Sequence, residues 1–281
     1  SARAAQALPF GRLLAAPGAE VILLRVLTGV PPAADPDATQ RQLAEAAAAL
    51  RRDRPDVHVD VVVASGAPAT AISQIAAERR VDLIVLASHG HRARTTRILG
   101  SVADQVAATT RCPIFVVRAD DAAAAPASPA IQRVVVPMDG SAQAARALAA
   151  AQTLATHCAA PICLLTAIDP AAVVPPAPAG VDPAAEHDAL AAAEAAAQQL
   201  LEQAGARLLR AGQATSWQAR RGPAAAVILA EVGPGDVLAL RSRGGSGGAT
   251  WPLGSVAAQV LRYASTPVLL LPAGPPESTP P

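Results

Sequence analysis

Glycines, arginines and hydroxyl residues follow a buried apolar run in residues 83–101. The run Leu83 to Ala87 ends at Ser88-His89-Gly90, and Gly100-Ser101 opens a pattern with apolar residues four apart. The aliphatic run predicts a buried strand, and the later spacing predicts a helix with Ser101 as its N-cap. Glycines at such a turn let a backbone approach a ligand, and N–H groups at a helix N-terminus attract anions. The segment therefore predicts a phosphate-binding loop, with an ordinary solvated loop as the alternative.

Three arginines and two histidines lie in or beside this loop. Arg92, Arg94 and Arg97 are placed to donate charge-assisted hydrogen bonds to phosphate oxygens. His89 and His91 can titrate near neutral pH, but as loop residues they are expected to be solvated or to face phosphate rather than to act in catalysis. No aromatic stacking platform accompanies the arginines, so they do not indicate nucleic-acid binding.

Much of the chain repeats itself, with the matching segments in the same order in both halves. The matching pairs are SARAAQAL (1–8) with SAQAARAL (141–148), GAEVILLRV (18–26) with AAPICLLTA (159–167), VDLIVLASHG (81–90) with GDVLALRSRG (235–244), RILGSVADQV (97–106) with WPLGSVAAQV (251–260) and CPIFVV (112–117) with TPVLLL (266–271). The offset is 140 to 141 for the first two pairs and 154 for the rest. Collinear matches of this extent indicate a duplicated domain.

Strands and helices alternate within each copy. In the second copy the predicted strands span 132–137, 161–167, 214–220, 236–241 and 266–272, and the predicted helices span 141–157, 183–211, 223–232 and 254–264. This alternation predicts an α/β fold of two tandem, doubly wound, Rossmann-like domains, each a parallel sheet with helices on both faces. Ligands of such sheets bind at the carboxyl ends of the strands, where the glycine loops fall.

The repeat also sets the expected domain boundaries. Domain 1 is expected at residues 1–118, a linker at 119–130, domain 2 at 131–273 and a disordered tail at 274–281. A proline-rich loop at 169–183 lies inside domain 2 and is expected to be partly mobile or to lie over the site.

The first copy has no counterpart of IQRVVVPMDGS, the strand and acidic turn at 131–141 that open the second copy. In the predicted fold this is a central strand, and its loss would expose two strand edges and part of the core. The sequence is therefore expected to be incomplete at its N-terminus.

Composition argues against several classes of function. All 23 basic residues are arginine and the net charge is +1, so nothing indicates bulk attraction to nucleic acid or to a membrane surface. The uncharged segment 147–168 is long enough to span a bilayer, but its alanines and internal polar residues favour a soluble helix followed by a strand. No nucleic-acid or membrane partner is therefore expected.

Three cysteines without a C-x-x-C pair fit a reducing compartment, and the cytoplasm is the expected location. Cys112 and Cys163 fall at or inside predicted strands, where they are expected to be small core residues. His157-Cys158 has no second pair with ligand spacing, so no metal site is predicted.

These residues resemble the universal stress protein family in its tandem, two-domain form. The family's signature is a glycine, two residues, a second glycine, nine residues, then Gly-Ser or Gly-Thr, after the fourth strand. Ala87-Ser88-His89-Gly90 with Gly100-Ser101 matches all of it except the first glycine, and so does Arg241-Ser242-Arg243-Gly244 with Gly254-Ser255. The family's first-strand motif is present as Val136-Pro137-Met138-Asp139-Gly140-Ser141.

The resemblance implies a five-stranded parallel sheet per domain, of the adenine nucleotide alpha hydrolase-like type. It also implies ATP binding in a subset of members and pairing of domains through their last strands. The residues that it implies for the adenine end are Val26, Pro137, Met138, Asp139 and Ala167. The residues that it implies for the phosphates, in loops 87–101 and 241–255, are Ala87, Ser88, His89, Gly90, Gly100, Ser101, Val102, Gly244, Gly254, Ser255 and Val256.

The chain departs from the family pattern at two positions. Ala87 adds only a methyl group in place of the first glycine, whereas Arg241 puts a long cation there that either blocks the pocket or reaches a phosphate. The glycine-rich run 244–248 raises the entropy lost when the second loop is ordered around a ligand. Asp139 is either a ligand for a nucleotide-bound metal or a turn residue.

Three functions are compared on these grounds. The first is a cytoplasmic, ATP-binding stress-response protein, with or without Mg²⁺, whose domains pair within the chain or in a homodimer. The second is a dimerisation or interaction module of the same fold that binds no nucleotide. The third is an ATPase or phosphotransferase, but a G-x-x-x-x-G-K-[ST] motif is impossible in a chain without lysine. The first function, without enzymatic turnover, is the expected one.

Overall fold

The computed structural model describes residues 2–28, 36–89, 101–119, 128–174, 183–242 and 254–272. The chain divides into two compact units, Ser1–Pro129, called unit 1, and Ala130–Pro281, called unit 2. The centres of both candidate loops, most of the predicted linker and the predicted tail lie outside the described residues.

Unit 1 alternates helices and strands along the described part of the chain. Its elements are α1 Ala2–Ala5, α2 Leu8–Leu14, β1 Glu20–Leu27, α3 Pro36–Asp53, β2 His58–Ser65, α4 Pro68–Glu78, β3 Ile84–His89, α5 Ser101–Thr109 and β4 Ile114–Ala119. β1 pairs with β2 and β3 pairs with β4, both in parallel and along their whole lengths. Phe10 of α2 packs against Phe115 of β4, with ring centroids 5.7 Å apart. Among the described residues, no strand lies between β1 and β3.

Unit 2 contains a complete five-stranded sheet. Its elements are β5 Arg133–Pro137, α6 Ala142–His157, β6 Ile162–Ile168, α7 Pro170–Val173, α8 Pro183–Arg210, β7 Thr215–Arg221, α9 Ala224–Glu231, β8 Asp236–Arg241, α10 Ser255–Tyr263 and β9 Val268–Leu271. The strand order is β9-β8-β5-β6-β7 and all pairs are parallel. The predicted α/β fold is therefore confirmed, and each predicted strand and helix of this copy is present with ends within two residues of the prediction.

One short helix was not predicted. α7 lies inside the proline-rich segment 169–183, where the Asp169 carboxylate accepts a hydrogen bond from the Ala171 N–H at 3.1 Å and Pro170 is the first helical residue. Aspartate at the N-cap followed by proline is a helix-start signal. The Asp-Pro pair could therefore have indicated this helix from the sequence.

The core of unit 2 is built around its central strand β5. Val134, Val135 and Val136 are all 0% exposed. The helix packed on β5 and β8 is α6, and its buried residues are alanines except for Leu154, with Ala151 and Ala155 at 0% exposure. Right-handed crossovers place α6 and α8 on one face of the sheet and α9 and α10 on the other, and α9 contacts α10 as this requires. Small helix residues let a core with few aromatic rings pack closely.

The strands that flank β5 in unit 2 are more enclosed than their counterparts in unit 1. Every residue of β8 is buried, and so is every residue of β6 except Ala167. In β1 only Leu23 is buried, and residues 84–87 of β3 are partly exposed. The corresponding strands of the two units therefore differ in burial. Separately, none of the described helices is long and apolar enough to cross a membrane.

A glycine inside α8 makes room for a tryptophan of the sheet. Gly205 is buried, and a Cβ built there would overlap ring atoms Cε3 and Cζ3 of Trp217 on β7. Glycine inside a helix costs about 1 kcal/mol relative to alanine, so the packing of Trp217 explains why a helix former is not found here.

Gly205→Ala is expected to lower the free energy of unfolding of unit 2 by about 1–3 kcal/mol, because the added methyl group overpacks the core against Trp217. Urea unfolding followed by circular dichroism measures this. Gly11 of α2 is the matched control, since a Cβ there meets nothing within 4 Å, and Gly11→Ala is expected to stabilise the protein by up to about 1 kcal/mol. Equal effects of the two substitutions would contradict the packing explanation.

Candidate functional site

The described ends of both candidate loops lie at the carboxyl ends of parallel strands. In unit 1, Ser88 stands next to last in β3 and lies opposite Arg118 of β4. In unit 2, Ser242 directly follows β8 and Ala167 lies near the end of β6. This is the edge at which α/β sheets bind ligands.

A short hydrogen bond brings the two ends of the second loop together. The Gly254 N–H donates to the Ser242 carbonyl oxygen at 2.6 Å, and the Ser242 N–H donates to the Leu271 carbonyl oxygen at 2.8 Å. Gly254 is the N-cap of α10 with φ −67° and ψ 160°, and its carbonyl oxygen accepts from the Ala258 N–H at 2.8 Å. The N-terminus of α10 is therefore fixed at the carboxyl end of β8.

The first turn of α10 is open to solvent. Ser255 is exposed, and Val256 is 38% exposed. The first N–H groups of a helix have no acceptor within the helix and carry partial positive charge. This turn can therefore hold an anion. Gly244, the other glycine predicted for this loop, lies outside the described residues.

Asp139 forms the turn that leads into α6. Its Oδ1 accepts hydrogen bonds from the Ser141 N–H at 3.0 Å and from the Ser141 hydroxyl at 2.6 Å. The Ser141 hydroxyl oxygen accepts in turn from the Ala144 N–H at 3.1 Å and so caps α6. These contacts support the turn-residue interpretation of Asp139. Its side chain is nevertheless exposed, and its predicted place at the adenine end stays a prediction.

The other residues predicted for the adenine end of unit 2 differ in exposure. Met138 is 6% exposed and belongs to the core, whereas Pro137 and Ala167 are partly exposed. The Met138 N–H donates to the Leu165 carbonyl oxygen at 2.8 Å. Asp139 comes directly after Met138, and Ala167 comes two residues after Leu165. Because this hydrogen bond joins the two neighbouring chain segments, Asp139 and Ala167 lie at the same edge of the sheet.

Arg241 turns toward the neighbouring strand β9. It is 9% exposed, and its Nη2 donates to the Pro272 carbonyl oxygen at 2.9 Å. One amino group of the guanidinium is thus held by the backbone at the end of the sheet. The expectation that Arg241 either blocks the pocket or reaches a phosphate stays a prediction, and the loop 243–253 lies outside the described residues.

In unit 1 the described site residues surround a loop whose centre is not described. Val26, Ala87 and Val102 are partly exposed, while Gly90, Gly100 and the side chains of His89 and Ser101 lie outside the described residues. α5 begins at Ser101 itself, which corrects the prediction that Ser101 is the N-cap. The repeat gives the reason, since α10 begins at Ser255 after the Gly254 cap.

The sequence profile of the universal stress protein family matches residues 2–118 and again residues 130–272. The chain belongs to the universal stress protein family. The two matched segments confirm the predicted tandem form.

Solved members of the universal stress protein family share the fold. A universal stress protein from Archaeoglobus fulgidus DSM 4304 is 20% identical with a TM-score of 0.58, over 97% of this chain and 92% of that chain. A putative universal stress protein from Pseudomonas aeruginosa UCBPP-PA14 is 16% identical with a TM-score of 0.59, over 92% of this chain and 94% of that chain. A universal stress protein in complex with cAMP is 28% identical with a TM-score of 0.38, over 51% of this chain and 98% of that chain.

One residue at the site of this universal stress protein was not predicted. Arg118 extends from β4 to the end of β3, where its Nη1 donates to the Ser88 hydroxyl oxygen at 3.1 Å; Ser88 is 2% exposed. Burial lowers the pKa of Arg118 to about 10, against the opposite effect of Asp104 on α5. The available signal was a charged residue that follows the apolar run of β4, where the second copy has Pro272.

The cysteines lie away from this edge of the sheet and behave as packing groups. Burial raises the pKa of Cys112 to about 11, and its thiol donates to the Val81 carbonyl oxygen at 3.0 Å. Burial also raises the pKa of Cys158 and of Cys163. The thiols therefore stay protonated and weakly nucleophilic at neutral pH. In the described part of the chain, His, Cys, Asp and Glu form no cluster of three suited to a metal ion.

Proposed function

We propose that this universal stress protein binds ATP at the carboxyl ends of its strands and acts as a regulatory binding protein rather than as an enzyme. The observation that supports this most directly is the 2.6 Å hydrogen bond from the Gly254 N–H to the Ser242 carbonyl oxygen. It fixes the N-terminus of α10 where β8 ends. A helix N-terminus at this edge of a parallel sheet is suited to phosphate.

The strand order supports a ligand that reaches across three strands. β5 lies between β6 and β8, so Ala167, Asp139 and Gly254 follow adjacent strand ends. The ends of β6 and β8 are two strand spacings apart, about 10 Å, a distance that a nucleotide can bridge with its base near Ala167 and Asp139 and its phosphates near Gly254. The Ser255 and Val256 N–H groups at the first turn of α10 would donate to phosphate oxygens.

Calorimetric titration of residues 1–281 with ATP is expected to give a saturable heat. Gly254→Glu is expected to remove the heat that comes from ATP binding to unit 2, because a carboxylate then stands where the phosphates bind. Gly100→Glu is expected to remove the heat that comes from binding to unit 1, and the double variant is expected to give no heat. Ala226→Glu is the matched control, since it adds the same charge at an exposed position of α9 and is expected to leave ATP binding unchanged.

The alternative is a dimerisation or interaction module of the same fold. The turn made by Asp139 and the burial of Met138 favour it over a nucleotide site in unit 2. If the wild-type protein gives no heat with ATP and releases no nucleotide on denaturation, ATP binding is contradicted and the module is favoured. A phosphate-release assay with bound ATP separately tests the proposal that turnover is absent. The homodimer and the cytoplasmic location stay predictions.

A further inference from the structure

Arg118 holds two buried N–H donors that no described residue accepts from. Its Nε and Nη2 atoms are both buried and have no hydrogen-bond partner, whereas Nη1 donates to the Ser88 hydroxyl oxygen at 3.1 Å. Buried polar atoms without a protein acceptor are uncommon, and each calls for a physical reason. At the ligand-binding edge of a parallel sheet, a ligand acceptor is such a reason.

The two donors lie on the edge of the guanidinium that binds a pair of oxygens. Arg133 uses the same two atoms on Asp236, with Nε at 3.1 Å from Oδ1 and Nη2 at 2.7 Å from Oδ2. Arg54 does the same on Asp56, at 2.8 Å and 2.6 Å. In this protein the Nε and Nη2 edge therefore forms forked contacts with two-oxygen anions. In Arg118 the Nε and Nη2 atoms of that edge are the two without a partner, while Nη1 lies at the end of β3.

The surroundings of Arg118 favour phosphate as the anion. Ser88 directly precedes the predicted phosphate loop, and α5 begins at the far end of that loop, at Ser101. Asp104 on the first turn of α5 is the carboxylate whose field acts on Arg118. An arginine at a strand end beside a helix N-terminus is suited to phosphate.

We propose that Arg118, anchored by Ser88, is a phosphate-binding residue of unit 1, and that it makes a forked contact with two oxygens of an oligophosphate. This inference rests on the proposed ATP binding and adds a residue outside the glycine signature. Unit 2 has Pro272 at the corresponding position, and the Pro272 carbonyl oxygen accepts from Arg241. The two units therefore differ in the arginine that reaches the end of the sheet.

The test uses Gly254→Glu as background, so that binding by unit 1 is measured, and titrates ATP and inorganic triphosphate in separate experiments. Arg118→Lys keeps the positive charge but cannot make the forked contact, and it is expected to lower the affinity for each ligand about tenfold or more. Arg118→Met is expected to lower both affinities at least as much. Arg111→Lys is the matched control, since Arg111 is exposed in unit 1 and is expected to leave both affinities unchanged.

Thermal unfolding with and without triphosphate distinguishes a loss of ligand binding from a folding defect. Arg118→Met replaces a buried charge by an apolar side chain, so without ligand it is expected to unfold at the same or a higher temperature than the background. The rise in unfolding temperature that triphosphate causes is expected to disappear in this variant. A purely structural role of Arg118 predicts the reverse pattern, with a lower temperature and an unchanged response to triphosphate.

The outcomes separate this inference from the proposed function. If ATP binds and Arg118→Lys binds it equally well, the role of Arg118 is overturned while ATP binding stands. If triphosphate binds, ATP does not, and Arg118→Lys loses the triphosphate, the role of Arg118 stands while ATP binding fails. If neither ligand binds to the background or to the wild-type protein, both are overturned.

Discussion

A chain extended ahead of Ser1 by a copy of residues 130–140 is expected to be more stable than residues 1–281, by at least about 2 kcal/mol in the free energy of unfolding of unit 1. Because Ser1 matches Ser141 in the repeat, the copy joins unit 1 at the same point at which β5 joins α6. For a domain of this size the gain corresponds to a rise in unfolding temperature of about 6 °C or more.

The physical reason is the difference between the two sheets. The three valines of β5 are 0% exposed between β6 and β8, whereas β1 and β3, which hold the corresponding positions, are partly exposed. A copy of β5 would hydrogen-bond to both strands and bury apolar area on each, at about 1.5–3 kcal/mol for each valine. The entropy lost when the added backbone is ordered opposes this burial, so the expected gain is much smaller than the burial alone would give.

Two controls test the register of the added strand. An extension whose three valines are replaced by serine has the same length and is expected to give no stabilisation. The copy also carries the counterpart of Arg133, whose partner Asp236 corresponds to the exposed Asp82 of unit 1. Asp82→Asn is therefore expected to reduce the gain from the extension while changing residues 1–281 little. Equal stability with and without the valines would show that the strand does not insert between β1 and β3.

Arg133→Met is expected to destabilise unit 2 by about 3–5 kcal/mol, because it leaves a buried carboxylate without its countercharge. Asp236 is 5% exposed, and its forked hydrogen bonds from Arg133 raise the pKa of that guanidinium. The Gly233 N–H, which donates to Oδ2 at 2.9 Å, would be the partner that remains. Urea unfolding of the variant and of the wild-type protein measures the loss.

The double variant Arg133→Met with Asp236→Leu is expected to recover most of this stability, because an apolar pair can replace a buried ion pair at little cost. Arg79→Met serves as the exposed counterpart. Arg79 pairs with Asp60 in unit 1, where both side chains are 44% exposed, so the expected loss is about 0–1 kcal/mol. If Arg133→Met and Arg79→Met lower the free energy of unfolding by the same amount, burial does not set the strength of the ion pair between Arg133 and Asp236.

The fold of unit 2 could be predicted from the sequence because its local signals agree with its tertiary structure. The strand β8 contains the apolar run Val237 to Leu240 with Gly235-Asp236 before it, and α8 is a long stretch of strong helix formers that begins at a proline. The internal repeat then supplied the domain count. Helix ends were less certain, as Ser101 shows, because a cap and a first helical residue have similar sequence preferences.

The side-chain details of the site could not be predicted, because they depend on which atoms the fold brings together. The sequence offers Asp139 equally as a ligand or as a turn residue, and only the contacts with Ser141 favour the turn. The sequence also gives no sign that Arg118 crosses to Ser88, since 30 residues separate them along the chain. Met138 follows a strand in the sequence, yet the structure places it in the core.

The placement of Trp217 against Gly205 has a further consequence for spectroscopy. Both tryptophans of the chain, Trp217 and Trp251, and its single tyrosine, Tyr263, belong to unit 2, whereas the aromatic rings of unit 1 are those of Phe10 and Phe115. Intrinsic fluorescence excited at the indole band therefore reports on unit 2, since unit 1 has no tryptophan of its own. On one sample, tryptophan emission thus follows unit 2, whereas circular dichroism follows the helices and strands of both units.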